Sequence, residues 1–215
     1  MARTLAVALS GVTGQLVEVE ADLSAGLPGL TFTGLADVSV VEARDRIRAA
    51  VLNSDRQWPN RRITIALLPA DVRKVGSRFD LALAVAVLAA ARVVPADMIA
   101  GRAWIAELGL DGRLRPVRGV LPAVLAAHRA GVEQVIVAEA NAAEAALVGG
   151  IEVRAAHTVG EWSATIRAAR SAAVAVVPGT ARLTSVSSPR AAIGSPIVSA
   201  SRMLMGAASH AAVCT

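Results

Sequence analysis

The sequence predicts a mixed α/β domain over residues 1–170. Strand-like runs crowd its front, strand and helix patterns alternate from Arg62 onward, and both patterns stop near Ser171. Residues 4–9 are apolar throughout and read as a first strand. Residues 16–23 alternate: Leu16, Glu18, Glu20 and Asp22 lie on one face, and Val17, Val19, Ala21 and Leu23 on the other. The link Gly11-Val12-Thr13-Gly14 predicts a hairpin turn between them. Gly26-Leu27-Pro28-Gly29 marks a second turn, before a short strand at 30–33.

A helix follows. Asp37 is placed to cap it, and Val40, Ala43, Ile47, Ala50 and Val51 form its apolar stripe. The remaining face carries Glu42, Arg44, Asp45, Arg46 and Arg48, read as solvated, with Glu42 and Arg46 as an i,i+4 pair. A sharper reading of that face is a contact surface for phosphate or a neighbouring subunit, through Arg44 and Arg48. Trp58-Pro59 closes the unit, and 62–68 is a β-branched strand ended by Pro69. The loop 70–78 is polar and contains Gly76. Asp80 is placed to cap an apolar helix over 81–91. Then come a strand at 103–108, a turn at Asp111-Gly112 and a strand at 113–117, the pattern of a hairpin. A helix over 120–130 ends at Gly131. The alternation continues with a strand at 134–137, a helix at 142–147 capped by Asn141, a strand at 151–154 and a helix at 159–169. Residues 171–215 have no sustained period and are expected to form a poorly ordered tail.

Composition narrows the chemistry. Lys74 is the only lysine, and no Gly-Lys-Ser/Thr run exists. A P-loop needs a lysine after its last glycine to reach the β/γ-phosphates, so ATP hydrolysis by this chain is not expected. The longest apolar run, 81–91, is far short of the roughly 20 residues of a spanning helix. No signal peptide is evident, and the single cysteine, Cys214, leaves no internal disulfide and no Cys-based zinc cluster. A reducing, cytoplasmic setting fits. The net charge is +5, carried almost wholly by arginine, which suits either nucleic-acid contact or a GC-rich coding sequence. Aromatic residues are 2% with no tyrosine, which disfavours a stacking surface for single strands.

Few residues carry candidate chemistry. Ser77 follows Gly76 in a loop leading into a helix, where backbone N–H groups can stabilise an oxyanion. Its bland alternative is a turn or cap serine. Asp71, Arg73 and Lys74 share that loop and could meet a neighbouring domain or nucleic acid, or stand in solvent. His128, His157 and His210 are widely spaced and suggest no metal site. Glu107 and Asp111 flank the hairpin and read as structural. Gly26, Gly29 and Gly34 do not have dinucleotide-binding spacing.

Four stretches carry a resemblance. They are Gly26-Leu27-Pro28-Gly29 with Gly34-Leu35-Ala36-Asp37; Glu42-Ala43-Arg44-Asp45-Arg46-Ile47-Arg48-Ala49-Ala50; Leu68-Pro69-Ala70-Asp71 with Gly76-Ser77 and Phe79-Asp80-Leu81; and the long run from Glu107-Leu108-Gly109 through Asp111-Gly112-Arg113 and Pro116-Val117-Arg118-Gly119 to Val120-Leu121-Pro122. Together they resemble the N-terminal domain of the ComM/YifB family of magnesium-chelatase-like AAA+ proteins. The resemblance implies a fold like the second domain of ribosomal protein S5, shared with the protease domain of Lon. In the family this domain precedes an ATPase module that uses ATP and Mg. The full-length proteins look like hexameric DNA helicases that promote branch migration in natural transformation.

The resemblance also tests Ser77. Lon-like nucleophiles sit in a comparable Gly-Pro-Ser-Ala-Gly loop, with their lysine in a later Gly-Gly-Leu-Lys run. The matching run here is Arg118-Gly119-Val120-Leu121, so leucine stands where lysine would activate the serine. After about residue 170 the family has a linker and a Gly-Pro-Pro-Gly-x-Gly-Lys-Thr loop. Here Met203-Leu204-Met205-Gly206 resembles the strand before it, followed by Ala207-Ala208-Ser209-His210 without lysine. The sequence therefore leads to an expected non-catalytic accessory domain of a DNA-processing ATPase, without its motor, as a truncated or frame-shifted product. No cofactor or metal is expected in this chain. Its contacts to DNA or to the ATPase module of a full-length relative would run through Arg44, Arg48, Arg73 and Lys74. A hexamer is expected only with the ATPase module. The alternatives are a degenerate or active Lon-type serine peptidase, or a stand-alone interaction module.

Overall fold

The computed structural model describes residues 1–162 and the backbone of Leu183–Thr184. The expected tail over 171–215 and the remainder of the helix over 159–169 lie outside the described residues, apart from that two-residue strand. The chain opens with a hairpin of β1 (Ala2–Ser10) and β2 (Thr13–Ser24), in register from Ala2 opposite Ala21 to Ser10 opposite Thr13. Gly11 begins the two-residue loop at φ +60°, the conformation that a type II′ turn asks of its first residue. β3 (Gly29–Thr33) runs parallel to β4 (Arg62–Leu68), and β4 runs antiparallel to β2. The second half adds parallel strands β5 (Arg102–Ile105), β8 (Gln134–Ala138) and β9 (Glu152–Ala156) beside β1. Leu183–Thr184, β10, completes an eight-stranded sheet in the order β10-β9-β8-β5-β1-β2-β4-β3. A separate two-stranded ribbon pairs β6 (Glu107–Leu108) with β7 (Leu114–Arg115). The fold is thus mixed α/β. The strand expected over 103–108 divides between sheet and ribbon.

β1 is covered on both faces, which explains why it is apolar without alternation. Ala6 and Ala8 join the core under α3 (Asp80–Ala90), whereas Val7, flanked by Leu5 and Leu9, joins the core under α4 (Val120–Arg129). The α3 core also takes Val17, Val19 and Ala21 of β2 and the stripe of α2 (Ala43–Leu52): Ala43, Ile47, Ala50 and Val51. A short helix, α1 (Val38–Val41), leads into α2, and the Asp37 carboxylate caps it by accepting the Ser39 N–H at 3.2 Å. Residues 80–89 of α3 are all buried, so this helix has no solvent face. The second core draws on α4, β5, β8 and α5 (Ala142–Ala145). Gly131 follows α4 at φ +81°, in the left-handed conformation expected of that position.

Two caps differ from expectation. Asp80 makes no capping bond to its own helix. Asn141 does not cap α5 either: its Oδ1 accepts the Val117 N–H at 2.8 Å and its Nδ2 donates to the Val117 carbonyl at 3.1 Å. A short polar side chain that satisfies both backbone groups of a loop residue serves as a substitute for a strand partner, which caps nothing but anchors 116–119. The helix opening at Val159 is capped by Thr158, whose Oγ1 accepts the Glu161 N–H at 3.2 Å.

Gly14 shows how closely α4 approaches the hairpin. A β-carbon there would lie 2.5 Å from the Ala126 Cβ and 3.1 Å from the Pro122 carbonyl oxygen. Gly14→Ala must therefore push α4 outward. Its expected cost is about 1–3 kcal/mol, the usual range for overpacking, read as a lowered urea midpoint with an unchanged slope.

Candidate functional site

The site resembling a hydrolase loop lies between β4 and α3. The chain turns back along β3: Lys74 donates its N–H to the Leu35 carbonyl at 3.0 Å, and its own carbonyl accepts the Asp37 N–H at 3.0 Å. This bridge fixes 72–76 against the entry to α1. It also turns the Lys74 side chain inward. That side chain is wholly buried, its ammonium donates to the Pro69 carbonyl, and burial lowers its pKa. Lys74 was expected in solvent or at a contact. The backbone bridge and the carbonyl that receives its ammonium remove it from both roles. Arg73 points the other way, is 75% exposed and pairs with Asp37 at 3.0 Å. That pair and the Ser39 N–H hold the Asp37 carboxyl below its ordinary value, the Ser39 N–H contributing most.

Gly76 has φ +89°, a backbone conformation that favours glycine, and sets up a short 3-10 turn at Ser77–Phe79. Its N–H is not free for an oxyanion, because it donates to Ser39 Oγ at 2.9 Å. Ser77 is half-buried, and its hydroxyl donates to the Glu107 carboxylate. It is the first residue of the turn, with Gly76 in the cap position. Leu121 sits in the first turn of α4, partly exposed, with its N–H on Glu144 Oε1 at 3.1 Å. Ser77 thus has a carboxylate neighbour, while the position expected to hold a lysine carries a hydrocarbon.

Asp80 is the electrostatic centre of this region. Its side chain is fully buried and accepts Arg46 Nε at 2.9 Å, Arg46 Nη2 at 3.1 Å and the Leu108 N–H at 3.3 Å. Arg46 also donates to the Ser39 carbonyl at 3.3 Å. Arg46 was expected on a solvated face paired with Glu42, and Asp80 as a helix cap. Both are corrected by one cause: an aspartate at the start of a fully buried helix needs a counter-charge, and α2 supplies it. Burial pushes the Asp80 carboxyl up to about 6, and the Arg46 bonds only partly offset it. The Arg46 guanidinium is shifted upward by the same pair. Arg78, next to Asp80, has Nε and Nη1 buried without a partner among the described residues, and burial lowers its pKa.

The other expectations can be placed briefly. Arg44 and Arg48 are exposed on α2, and Arg44 touches its neighbour Asp45 at 3.3 Å. Asp71 is exposed. His157 pairs with Glu139 at 2.9 Å, His128 packs against Gly150, and His210 lies outside the described residues. Among the described residues no cluster of His, Cys, Asp or Glu is arranged to hold a metal ion. No helix among them is long and apolar enough to cross a membrane.

Asp80 supplies a test with a defined sign. Its folded pKa, about 6, lies above the ordinary 3.8, so the folded chain binds this proton more tightly than the unfolded chain. Its contribution to stability is therefore fullest below about pH 4 and is lost as pH rises through 6. Asp80→Asn cannot titrate. The stability of the natural chain relative to Asp80→Asn should fall by about 2–3 kcal/mol between pH 4 and pH 7, measured by urea unfolding at several pH values. A constant difference would place the Asp80 pKa at its ordinary value.

Comparison with known proteins shows the family. Residues 19–141 match the family described as subunit ChlI of Mg-chelatase. An uncharacterized protein of Mycobacterium tuberculosis is 48% identical over 167 residues, covering 78% of this chain and 33% of that protein. Competence protein ComM of Haemophilus influenzae is 44% identical over 149 residues, covering 69% of this chain and 29% of ComM. A Lon protease of Mycolicibacterium smegmatis is 33% identical over 143 residues, covering 63% of this chain and 18% of Lon. The chain spans about a third of the length of the first two relatives.

Proposed function

We propose that this chain, which belongs to the Mg-chelatase ChlI family with ComM among its relatives, is a non-catalytic accessory domain of a ComM-type DNA-processing ATPase. The observation that carries the reading is the state of the Gly76–Ser77 loop. Every group that acyl transfer would use is engaged elsewhere. The Gly76 N–H goes to Ser39, the Ser77 hydroxyl to Glu107, and the Lys74 ammonium to the Pro69 carbonyl. A nucleophile needs a base that can take its proton, and Leu121 cannot. The fold of a Lon-like domain is present without its activating lysine, so the domain offers surface and support in place of chemistry.

In this reading the family's branch-migration activity, its ATP and its Mg belong to the ATPase module of longer relatives. The setting is cytoplasmic. Arg44, Arg48 and Arg73 are the exposed cations through which the domain meets DNA or that module. A serine peptidase is the second reading, favoured by the Ser77–Glu107 hydrogen bond and the Lon relative. Glu107 is a carboxylate, a far weaker base than a desolvated lysine, which makes this the lesser reading.

A fluorophosphonate probe and casein separate the two. The purified chain should neither label nor cleave, and Ser77→Ala should differ from it only by a stability change of about 1 kcal/mol or less, for the lost hydrogen bond to Glu107. Covalent labelling that disappears in Ser77→Ala would establish the peptidase and remove the accessory assignment.

A second measurement concerns ATP. With Mg-ATP the chain should release phosphate no faster than buffer, because its one lysine follows no glycine loop and is buried. Turnover that copurifies with the chain through two columns would contradict this.

A further inference from the structure

The sheet ends at β3 in an open edge. β3 is an outermost strand, with β4 on one side and no strand on the other among the described residues. In a parallel ladder, alternate residues of a strand turn both backbone groups to the same neighbour. The Gly29 N–H donates to the Arg61 carbonyl at 3.4 Å, so Gly29, Thr31 and Thr33 serve β4. Leu30 and Phe32 therefore turn their N–H and C=O groups outward, where no group among the described residues takes them up. Natural sheets blunt such an edge with charges, proline, a bulge or a very short strand. β10, at the opposite edge, is two residues long. β3 has five residues in unbroken register, an ordinary strand length, with neither charge nor proline from Gly29 to Thr33. The Leu30 and Phe32 side chains pack on the α3 core yet are only half-buried, and Thr31 is exposed on the opposite face. Exposed leucines flank the strand, Leu27 at 83% and Leu35 at 52%.

We propose that β3 pairs with β3 of a second copy of the chain, antiparallel about a twofold axis at Thr31, so that the two sheets join into one. The strand itself sets this register. Its outward backbone groups belong to residues 30 and 32, and the axis places Leu30 of one copy opposite Phe32 of the other. Such a pair exchanges both of its N–H···O=C bonds, and symmetry repeats the pair. Thr31 meets Thr31 at the intervening position without backbone bonds, where side chains lie closest and two threonines pair favourably. An axis between residues would set an outward residue against one that faces β4, and an axis at 30 or 32 would shorten the overlap of the strands. The half-buried Leu30 and Phe32 side chains cover each other on one face. Leu27 of one copy and Leu35 of the other lie toward the same end, because each is four residues from Thr31. The edge thus fits its own image: residues 27–35 hold no charge to repel a copy, and each apolar residue finds an apolar partner. DNA gains nothing from an uncharged edge. One strand pair with a small apolar margin is a small interface, so association is weak, with a dissociation constant on the order of 10–100 µM. The inference goes beyond the accessory role and does not depend on it.

Sedimentation equilibrium of the full chain over about 5–500 µM tests it. The mass of the natural chain should rise from 21.9 kDa toward twice that value with concentration. Thr31→Lys and Thr31→Glu each set like charges against each other at the axis, so each variant alone should stay monomeric. An equimolar mixture of the two sets lysine against glutamate and should restore the dimer. Thr31 is exposed, so both variants should melt with the natural chain. As a second measurement, Thr31→Cys in a Cys214→Ser background should give a disulfide-linked dimer under mild oxidation. Thr33→Cys in the same background, which this register sets opposite Gly29, should link far less. By hydrogen exchange, the Leu30 and Phe32 amides should slow as concentration rises, while the Thr31 amide, held by β4, should not change. A natural chain that is monomeric at the highest concentration overturns the proposal. Single variants that still dimerise, or a mixture that stays monomeric, remove β3 from the interface and overturn it as well. Thr33→Cys that links as readily as Thr31→Cys overturns the register. If the natural chain is monomeric but a synthetic Val-Thr repeat peptide protects the Leu30 and Phe32 amides, the edge takes an extended segment of another protein and self-pairing is rejected.

Discussion

The arrangement depends on one buried ion pair. α3 is enclosed on all sides, and Asp80 stands in its first turn with no exposed surface. A lone carboxylate there would be expelled or kept neutral. Arg46 answers it with two hydrogen bonds and the Leu108 N–H adds a third. Three elements separated in sequence are thereby tied together: α2 through Arg46, α3 through Asp80, and the β6–β7 ribbon through Leu108. Arg46 also reaches the Ser39 carbonyl, and Ser39 Oγ receives the Gly76 N–H, so the loop before α3 is tied to α1 as well. The upward shift of the Asp80 carboxyl means that this pair does not recover the whole cost of burial. Its role is to specify which surfaces meet, and the surrounding hydrophobic core supplies the stabilisation.

The same network supports the proposal that this hydrolase-like loop does no hydrolase chemistry. The Gly76 N–H, the Ser77 hydroxyl and the Lys74 ammonium are all engaged in holding the loop. Ser39 takes the backbone donor that would face an oxyanion, and Glu107 takes the serine hydroxyl. Lys74 is turned inward by the backbone bridge to 35–37, which a side chain reaching for phosphate or serine could not permit. Gly34 illustrates the tightness of this packing: a β-carbon there would lie 2.6 Å from the Leu67 carbonyl oxygen, so strand β3 can lie beside β4 only with glycine at that corner.

Much of the fold was legible because its signals were local. The alternation of β2, the unbroken apolar run of β1, the stripe of α2 and the glycine after α4 each follow from a short-range rule, and each is present. What escaped was the direction of long polar side chains. Arg46 looks like one of several surface arginines until Asp80 is placed beside it, and the two are 34 residues apart. A signal was available: an acid directly before a run of eleven apolar residues predicts a buried charge in need of a cation. Asn141 and Lys74 had no such signal, because each is bound to a backbone carbonyl or amide, and backbone partners leave no mark in composition. At the site, Ser77 and Leu121 were readable as a nucleophile position without its lysine, whereas the partners of Ser77 and Gly76 required the coordinates.

The sheet's covering also limits where function can reside. α3 covers one face of the sheet and α4 the other beside β1, while the second face of β2, β4 and β3 stays partly exposed and carries Glu18, Glu20, Thr31 and Thr33. Beyond that face there are the loops at the strand ends and the outward sides of the helices. The loop at 70–78 is locked by its own hydrogen bonds, which suits a buttress and leaves little freedom to close over a substrate. α4 is placed so close to the hairpin that Gly14 must be glycine, and its exposed residues are Leu121 and Arg129. α2 differs from both. It is anchored from beneath by Ile47 and laterally by Arg46, so its outward residues are held on a rigid support. Rigid presentation lowers the entropy lost on docking. Arg46, which ties α2 to Asp80, and the exposed Arg48 are two positions apart on one helix. A single turn thus gives one arginine to the fold and turns the other to solvent.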